Sequence, residues 1–282
     1  MGHDKLRKFA ENETFACLLQ PTAAQVLSKG YANLTDHPVK GHWIKQMFGG
    51  HEGDIILELG CGKGEYTLEL ARRNPDKNYI GVDIKGARLW RGAKTATQEG
   101  LRNVAFLRTR IEFITAYFAP GEVSEIWLTF SDPQFRSENS RLTSPLFLER
   151  YRSFMKPGGI VHLKTDSMFL HRYSRAVAER NGLRILGCTE DLYGTPQSDR
   201  RLPELPAETV EALYEVQTFY EKMFLEQGYK ITYLSFVIDH DGPYEHPDFD
   251  EEYWRSVEGP RLLFGHDSAE TRRQKLHPKN TP

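Results

Sequence analysis

The sequence has few of the residues that build metal centres and disulfide frameworks. Its 282 residues include only three cysteines, Cys17, Cys61 and Cys188, which are far apart and form no CxxC pair. The ten histidines are scattered, without an HExxH motif or a tight cluster. Because zinc sites and disulfide scaffolds need such spacings, we expect no metal site and no disulfide framework.

Long apolar runs are also missing. No stretch approaches the roughly 18 consecutive apolar residues that can cross a bilayer, and the N-terminus, MGHDKLRKFAENETF, lacks the apolar core of a secretory signal. Hydrophobic residues nevertheless make up 39% of the chain and aromatic residues 12%, which is enough for a packed core. We therefore expect a globular cytoplasmic protein that does not bind a membrane.

The chain has no excess of positive charge, since its formal net charge is −2. Nucleic-acid-binding proteins usually carry a basic surface. Acidic residues concentrate in the stretch EHPDFDEE at positions 245–252, and basic residues form two groups. The first group contains Arg88, Arg91, Lys94, Arg102, Arg108 and Arg110, and the second contains Arg136, Arg141, Arg150 and Arg152. Charge alone predicts a solvated surface for most of them.

Short apolar strands alternate with helical stretches from residue 54 onward. Strands are predicted at 54–59, 78–82, 104–108, 125–130, 160–164, 183–188 and 231–239. Helical connections of this length imply right-handed crossovers and a sheet covered on both faces. We predict an α/β fold with a doubly wound, seven-stranded, mainly parallel, Rossmann-like sheet. Ligands of such sheets bind beyond the carboxyl ends of the strands, where the strand order reverses.

The chain divides into three parts by composition. Residues 1–50 are predicted to form an N-terminal arm, with a helix at about 38–48, that packs on or lies beside the main domain at 51–240. A single helix is expected at 207–227. Residues 241–282 are acidic and contain several prolines, so we expect a loosely ordered C-terminal tail.

The first predicted strand ends in Glu58 and is followed by Gly60, Gly62 and Gly64. Glycine lacks a Cβ, which lets the backbone turn tightly and approach a ligand. Asp83 ends the next strand about 20 residues later, where an acidic side chain can accept hydrogen bonds from ribose hydroxyls. Dinucleotides and S-adenosylmethionine both bind to this layout.

The glycine spacing separates the two ligands. Dinucleotide binding needs GxGxxG, which is absent here. Glu58 can neutralise the ammonium group of S-adenosylmethionine, whereas the alternative interpretation is that Glu58 caps a nearby amide. With the glycines and Asp83 in place, the pattern favours S-adenosylmethionine as the cofactor.

Polar side chains also follow the later strands. Asp132 precedes Pro133, whose ring restricts its neighbour, and can accept hydrogen bonds from the N1–H and exocyclic amine of a guanine. The alternative is an ordinary Asp-Pro turn. Asp166 ends the fifth strand, where it can bind a ligand or cap a helix. Thr218 and Glu221 share one helix face, and on pattern alone they indicate an ordinary amphipathic helix.

Six motifs, taken together and in order, are more specific than the glycine loop. They are ILELGCGKGEYTLELA (56–71), GVDIKGARLWRGAK (81–94), TFSDP (129–133), RLTSPLFLERY (141–151), HLKTD (162–166) and TFYEKMF (218–224). This set resembles the tRNA (guanine-N7)-methyltransferase family over about residues 6–236. The resemblance implies a class I methyltransferase fold, S-adenosylmethionine as cofactor, and methyl transfer to N7 of a guanine in the variable loop of tRNA.

The resemblance also implies roles for individual residues. Asp132 is expected to act in catalysis. The expected cofactor-binding residues are Glu58, Gly60, Gly62, Asp83, Arg110, Ile111 and Asp132, and the expected substrate-binding residues are Arg136, Asp166, Thr218 and Glu221. Arg110 stands where many members have Asp or Asn, so the backbone of Arg110 and Ile111 is expected to serve instead. The family usually has DPWP followed by basic residues, whereas this chain has DPQFRSEN at 132–139.

Three alternatives stay open from the sequence alone. A same-fold methyltransferase acting on a small molecule fits the near-neutral pI of about 6.6 and the missing basic cluster, but not the ordered motif set. A non-catalytic tRNA-binding subunit conflicts with the intact cofactor motif. An NAD-dependent oxidoreductase is the weakest alternative because of the glycine spacing. The chain is expected to act as a monomer or a homodimer.

Overall fold

A computed structural model of the chain describes residues 3–31, 33–194, 202 and 204–265. Its strands are β1 (Leu18–Leu19), β2 (Ile55–Leu59), β3 (Asn78–Asp83), β4 (Val104–Arg108), β5 (Val123–Thr129), β6 (Met155–Thr165), β7 (Ile185–Thr189) and β8 (Thr232–Val237). Its α-helices are α1 (His3–Asn12), α2 (Ala23–Val26), α3 (Trp43–Gln46), α4 (Glu65–Arg73), α5 (Gly86–Glu99), α6 (Pro145–Arg152), α7 (Met168–Arg180), α8 (Ala207–Glu215), α9 (Phe219–Glu226) and α10 (Glu251–Gly265). Two 3₁₀ helices span Ile111–Ala116 and Glu138–Ser140.

All the strands belong to one sheet with the order β1-β4-β3-β2-β5-β6-β8-β7. Pairing is antiparallel between β8 and its neighbours β6 and β7, and parallel elsewhere. The predicted doubly wound, mainly parallel sheet is therefore confirmed, with all seven expected strands. An eighth strand, Leu18–Leu19, pairs with β4 at the sheet edge. A strand of two residues is too short to show the alternating pattern from which strands are predicted.

The strand order reverses between β2 and β5. From β2 the chain builds outward through β3 and β4, then returns to β5 on the other side of β2. A crevice beyond the carboxyl ends of these two strands is the expected ligand site. Every residue of β2 is buried, and Glu58 is its only charged residue. The carboxyl group of Glu58 therefore lies in an apolar strand, at the point where the strand order reverses.

The N-terminal arm is part of the core. Trp43 is fully buried, and its ring stacks on Phe118 with centroids 5.1 Å apart. The indole N–H of Trp43 donates to the carbonyl of Tyr117 at 2.8 Å. Asn12 at the end of α1 donates to the carbonyl of Gly86 in α5 at 2.9 Å. The helix expected at 38–48 is shorter than predicted and spans only Trp43–Gln46.

The single helix expected at 207–227 is divided into α8 and α9. Val216 is extended, with φ −85° and ψ 106°, and ends α8. Thr218 then caps α9, because its hydroxyl accepts a hydrogen bond from the backbone N–H of Glu221 at 3.2 Å. A threonine in this role satisfies one of the free N–H groups of a new helix. The apolar periodicity continues across the break and hid it from sequence inspection.

The acidic segment after β8 also differs from the expectation of a loosely ordered tail. It contains α10, and several of its carboxylates bind the main domain. Glu251 pairs with Arg141 at 2.7 Å, and Glu258 accepts a hydrogen bond from Ser167 at 2.8 Å. Residues 266–282 of the expected tail lie outside the described residues. None of the described helices has the length and apolarity to span a bilayer.

Candidate active site

A groove opens beyond the carboxyl ends of the central strands and consists of two adjoining cavities. The larger, of about 750 Å³, is lined by Gly60, Asp83, Arg110, Ile111 and Asp132 among others. The smaller, of about 90 Å³, is lined by predicted site residues that include Glu58, Gly62 and Thr218. Both cavities share Gly60, Arg88 and Phe130. Eight of the eleven predicted site residues therefore line one continuous groove.

The glycine loop leaves room for a ligand. Gly60 and Gly62 have φ angles of 82° and 58°, which strain any other L-residue. A Cβ at either position would meet nothing within 4 Å, so the space above them is open. Gly64 serves a different purpose, because a Cβ there would lie 2.6 Å from the ring of Phe106. The first two glycines shape the groove, and the third lets α4 pack on the sheet.

Glu58 is buried between two threonines. Its Oε1 accepts a hydrogen bond from the Thr129 hydroxyl at 2.5 Å, and its Oε2 accepts from the backbone N–H of Thr67 at 2.8 Å and from the Thr67 hydroxyl. The amide-capping interpretation is thus confirmed. It is compatible with ligand binding, because Glu58 still lines the smaller cavity.

The charge of Glu58 lacks a cationic partner within the described residues. Burial raises the pKa of its carboxyl to about 7, although the hydrogen bonds from Thr129 and Thr67 lower it. Burial of an ionised carboxyl without a counter-ion is unfavourable. A cationic ligand group in the smaller cavity would supply the missing charge.

Asp83 lies at the edge of the larger cavity with little freedom to move. Its Oδ2 accepts a hydrogen bond from the backbone N–H of Gly62 at 3.1 Å, and its Oδ1 accepts from that of Lys85 at 2.7 Å. Each carboxylate oxygen can accept more than one hydrogen bond. The carboxylate is therefore suited to receive a pair of neighbouring hydroxyl donors.

The loop after β5 is strained on both sides of Asp132. Phe130 and Gln134 have positive φ angles of 52° and 49°, which are rare for residues other than glycine. Asp132 is exposed between them, and its Oδ1 accepts a hydrogen bond from the N–H of Gln134 at 3.0 Å. The buried hydroxyl of Ser131 has no hydrogen-bond partner among the described residues. Strained backbone of this kind concentrates at functional sites.

Glu221 is buried away from the groove. Its Oε1 lies 2.7 Å from the Lys164 ammonium, and both side chains are fully buried. The Tyr193 hydroxyl donates to the same oxygen at 2.5 Å. Lys164 also donates to the carbonyls of Leu213 at 2.7 Å and Val216 at 3.1 Å, at the end of α8. The KTD and TxxE motifs are thus joined inside the protein.

Of the TxxE pair, only Thr218 lines the groove. Sequence inspection missed Lys164, although a lysine within the apolar strand HLKTD signals a buried ion pair. Burial lowers the pKa of Lys164, and the neighbouring Glu221 carboxylate opposes that change. Thr67 and Thr129, the partners of Glu58, were missed because hydroxyl donors leave no spacing pattern.

Comparison with known proteins agrees with this geometry. A family model described as "Putative methyltransferase" matches residues 52–230. A tRNA (guanine-N(7)-)-methyltransferase of Christiangramia forsetii is 48% identical over 83% of this chain and 98% of the relative. The enzyme of that name from Bacteroides thetaiotaomicron is 44% identical over 89% of this chain and 92% of its own length. The enzyme of the same name from Porphyromonas gingivalis is 46% identical over 76% of this chain and 84% of its own length.

The chain belongs to the tRNA (guanine-N7)-methyltransferase family. The family predicted from the motifs is therefore confirmed. Arg110 occupies one of the positions that depart from the family pattern. Its guanidinium forms an ion pair with the Glu112 carboxylate at 3.1 Å. Together with Ile111 it lines the larger cavity.

Three predicted substrate residues do not line the groove: Glu221, Asp166 and Arg136. Asp166 is half-buried directly after β6, and the residue that caps α7 is its neighbour Ser167. Arg136 is exposed in the loop after Asp132. Asp166 and Arg136 each follow a strand that ends at the groove, so their roles in substrate binding stay predictions.

Proposed function

We propose that this chain transfers the methyl group of S-adenosylmethionine to N7 of a guanine in tRNA, forming 7-methylguanosine. The observation that carries the proposal is the buried Glu58, which lacks a cationic partner within the described residues and lines the same groove as Asp83. The names of the relatives support the choice of tRNA as substrate.

The residues of the groove fit S-adenosylmethionine. Glu58 would receive the ammonium group in the smaller cavity, and Asp83 would receive the ribose hydroxyls. The backbone near Arg110 and Ile111 would lie against the adenine. Gly60 and Gly62 leave open the space between the positions proposed for the ammonium group and for the adenosine. S-adenosylmethionine supplies an electrophilic methyl group on a sulfonium sulfur.

The protein is required mainly to position the guanine. N7 has an in-plane lone pair, so its attack on the methyl carbon needs no general base, and alignment is the main catalytic effect. Methyl transfer would leave positive charge on the purine. Asp132 at the groove and Asp166 directly after β6 would stabilise that charge electrostatically.

The guanine must leave the tertiary packing of the tRNA to enter the groove, as in other enzymes that modify bases. Arg136, Asp166 and Thr218 are proposed to contact the tRNA substrate. Glu221 is proposed to support Thr218 through the turn that both form. We further propose that residues 51–240 form the methyltransferase domain and that the protein acts in the cytoplasm, as a monomer or a homodimer.

The proposal is tested by incubating the protein with labelled S-adenosylmethionine and unmodified bulk tRNA, followed by nucleoside analysis. The expected product is 7-methylguanosine. Binding of S-adenosylmethionine without any methylated tRNA would contradict the proposed substrate and favour a small-molecule methyltransferase.

A further inference from the structure

The acidic segment at residues 246–258, here called the C-terminal strap, packs against the two chain segments that follow β5 and β6. His246 lies 3.0 Å from Glu138 in the loop after Asp132. Glu251 pairs with Arg141 at the end of the same loop at 2.7 Å. The strap therefore contacts the segment whose Ser140 and Leu142 line the larger cavity.

Glu258 of the strap contacts Ser167, the residue that follows Asp166. Its side chain is only 5% exposed, and its two oxygens accept hydrogen bonds from the Ser167 hydroxyl at 2.8 Å and the Phe169 N–H at 3.0 Å. Ser167 follows Asp166 directly and caps α7 by accepting from the Leu170 N–H at 3.1 Å. A carboxylate at a helix N-terminus is favoured by both hydrogen bonding and the helix dipole. Glu258 thus fixes the turn that carries Asp166.

Arg141 makes the second anchor. Its side chain is fully buried, and its guanidinium lies 4.7 Å above the Phe169 ring and 4.4 Å above the Tyr173 ring. A buried guanidinium needs a carboxylate partner, and Glu251 of the strap supplies it. The loop after Asp132 therefore ends at a residue that depends on the strap.

Aromatic rings connect the two anchors. Phe249 of the strap lies edge-on to Phe169 and Tyr173, with centroids 5.7 Å apart in each case. Phe135, in the loop that departs from the family pattern, also packs on the Phe169 ring, with centroids 4.4 Å apart. The strap, α7 and this loop share one cluster.

We propose that the C-terminal strap positions Asp166 and the loop after Asp132 for the tRNA substrate, with Glu258 and Glu251 as positioning residues. This inference rests on the proposed function. The strap is acidic and would repel tRNA phosphates, which proteins bind with basic groups. Both of its anchoring carboxylates are bound to donors of the protein itself, so the strap acts on the protein and not on the RNA.

The test compares Glu258→Ala with Glu252→Ala in the full-length protein, because Glu252 is exposed on the same helix. Glu258→Ala is expected to lower kcat for tRNA methylation by about tenfold, since small displacements at an active site reduce rates strongly. The Kd for S-adenosylmethionine should not change, because Glu258 binds the turn after β6, whereas Glu58 and Asp83 lie in β2 and β3. Glu252→Ala should behave as wild type in both measurements.

Glu258→Gln is a variant of nearly the same size, which controls for the possibility that Glu258→Ala fails to fold. Its amide oxygen can still accept one of the two hydrogen bonds, so its kcat should lie between those of wild type and Glu258→Ala. Wild-type kcat in both Glu258 variants would overturn the proposal. A raised kcat would also overturn it and identify the strap as an inhibitory cover. Absence of 7-methylguanosine with the wild-type protein would instead contradict the proposed function.

Discussion

Glu58 and Glu221 are both buried carboxylates, yet their surroundings differ. Glu58 accepts hydrogen bonds from Thr67 and Thr129, and burial raises its pKa to about 7. Glu221 lies 2.7 Å from the ammonium of Lys164. One carboxylate is surrounded by neutral donors, and the other has a cation of its own.

The difference distinguishes a carboxylate that is suited to bind a cationic ligand from one whose charge is already compensated within the fold. A buried carboxylate paired with a lysine has its charge compensated within the fold and gains nothing from a cationic ligand. A buried carboxylate held only by neutral groups keeps an unmet preference for positive charge. We therefore propose that Glu58 binds the cofactor ammonium, whereas Glu221 joins α9 to β6.

The largest effect is expected from breaking the Glu221 pair. Lys164→Met leaves the Glu221 carboxylate buried without its cationic partner, and we expect a loss of about 3–5 kcal/mol in the free energy of unfolding. Urea denaturation followed by circular dichroism measures this loss. The double variant Lys164→Met, Glu221→Leu should recover much of it. A single variant as stable as wild type would show that the pair is not required.

Glu58→Gln is expected to weaken binding of S-adenosylmethionine by about 10- to 100-fold, because a hydrogen bond to a charged group is worth about 1.5–3 kcal/mol. The free energy of unfolding should stay the same or rise, since a buried charge is removed. Calorimetric titration measures the affinity, and urea denaturation provides the control. Unchanged affinity in a folded variant would remove Glu58 from the cofactor site.

The pH should affect cofactor binding and the stability of the cofactor-free protein in opposite directions. The pKa of Glu58 is about 7 in the folded protein, above its ordinary value of 4.5. The folded state therefore holds the proton more tightly than the unfolded state. The contribution of Glu58 to the free energy of unfolding is therefore present below pH 4.5 and is lost as the pH rises to about 7.

Cofactor binding requires the ionised carboxylate, so the affinity for S-adenosylmethionine should increase about tenfold from pH 6 to pH 8. Glu58→Gln should show no such dependence. Binding titrations at the two pH values measure the effect, and equal pH dependence in wild type and variant would assign it to another group.

The smallest effect is expected from Thr129→Val, which keeps the side-chain shape but removes one hydrogen bond to Glu58. A hydrogen bond of this kind contributes about 1 kcal/mol, so cofactor affinity at pH 7 should fall by about fivefold. The pKa of Glu58 should rise further, since the Thr129 hydrogen bond lowers it. An unaltered pH dependence would show that Thr129 does not control this carboxyl.

Much of the fold and the cofactor loop could be predicted from local sequence. The apolar strands, the glycines after Glu58 and the acid at Asp83 form patterns of short range. Long-range partners leave no such pattern. Composition therefore indicated a loose tail, because nothing near Glu258 in the sequence reveals its contact with Ser167. The ion pair of Glu221 with Lys164 was missed for the same reason, since Lys164 lies far away along the chain.

The most direct test of the central claim is a thermodynamic cycle on the Glu58 contact. S-Adenosylhomocysteine and its deaminated analogue would each be titrated into wild type and Glu58→Gln. Wild type should bind the compound with the amino group at least tenfold more tightly, by about 1.4 kcal/mol, and Glu58→Gln should lose this preference. An equal preference in both proteins would contradict the assignment of the ammonium to Glu58.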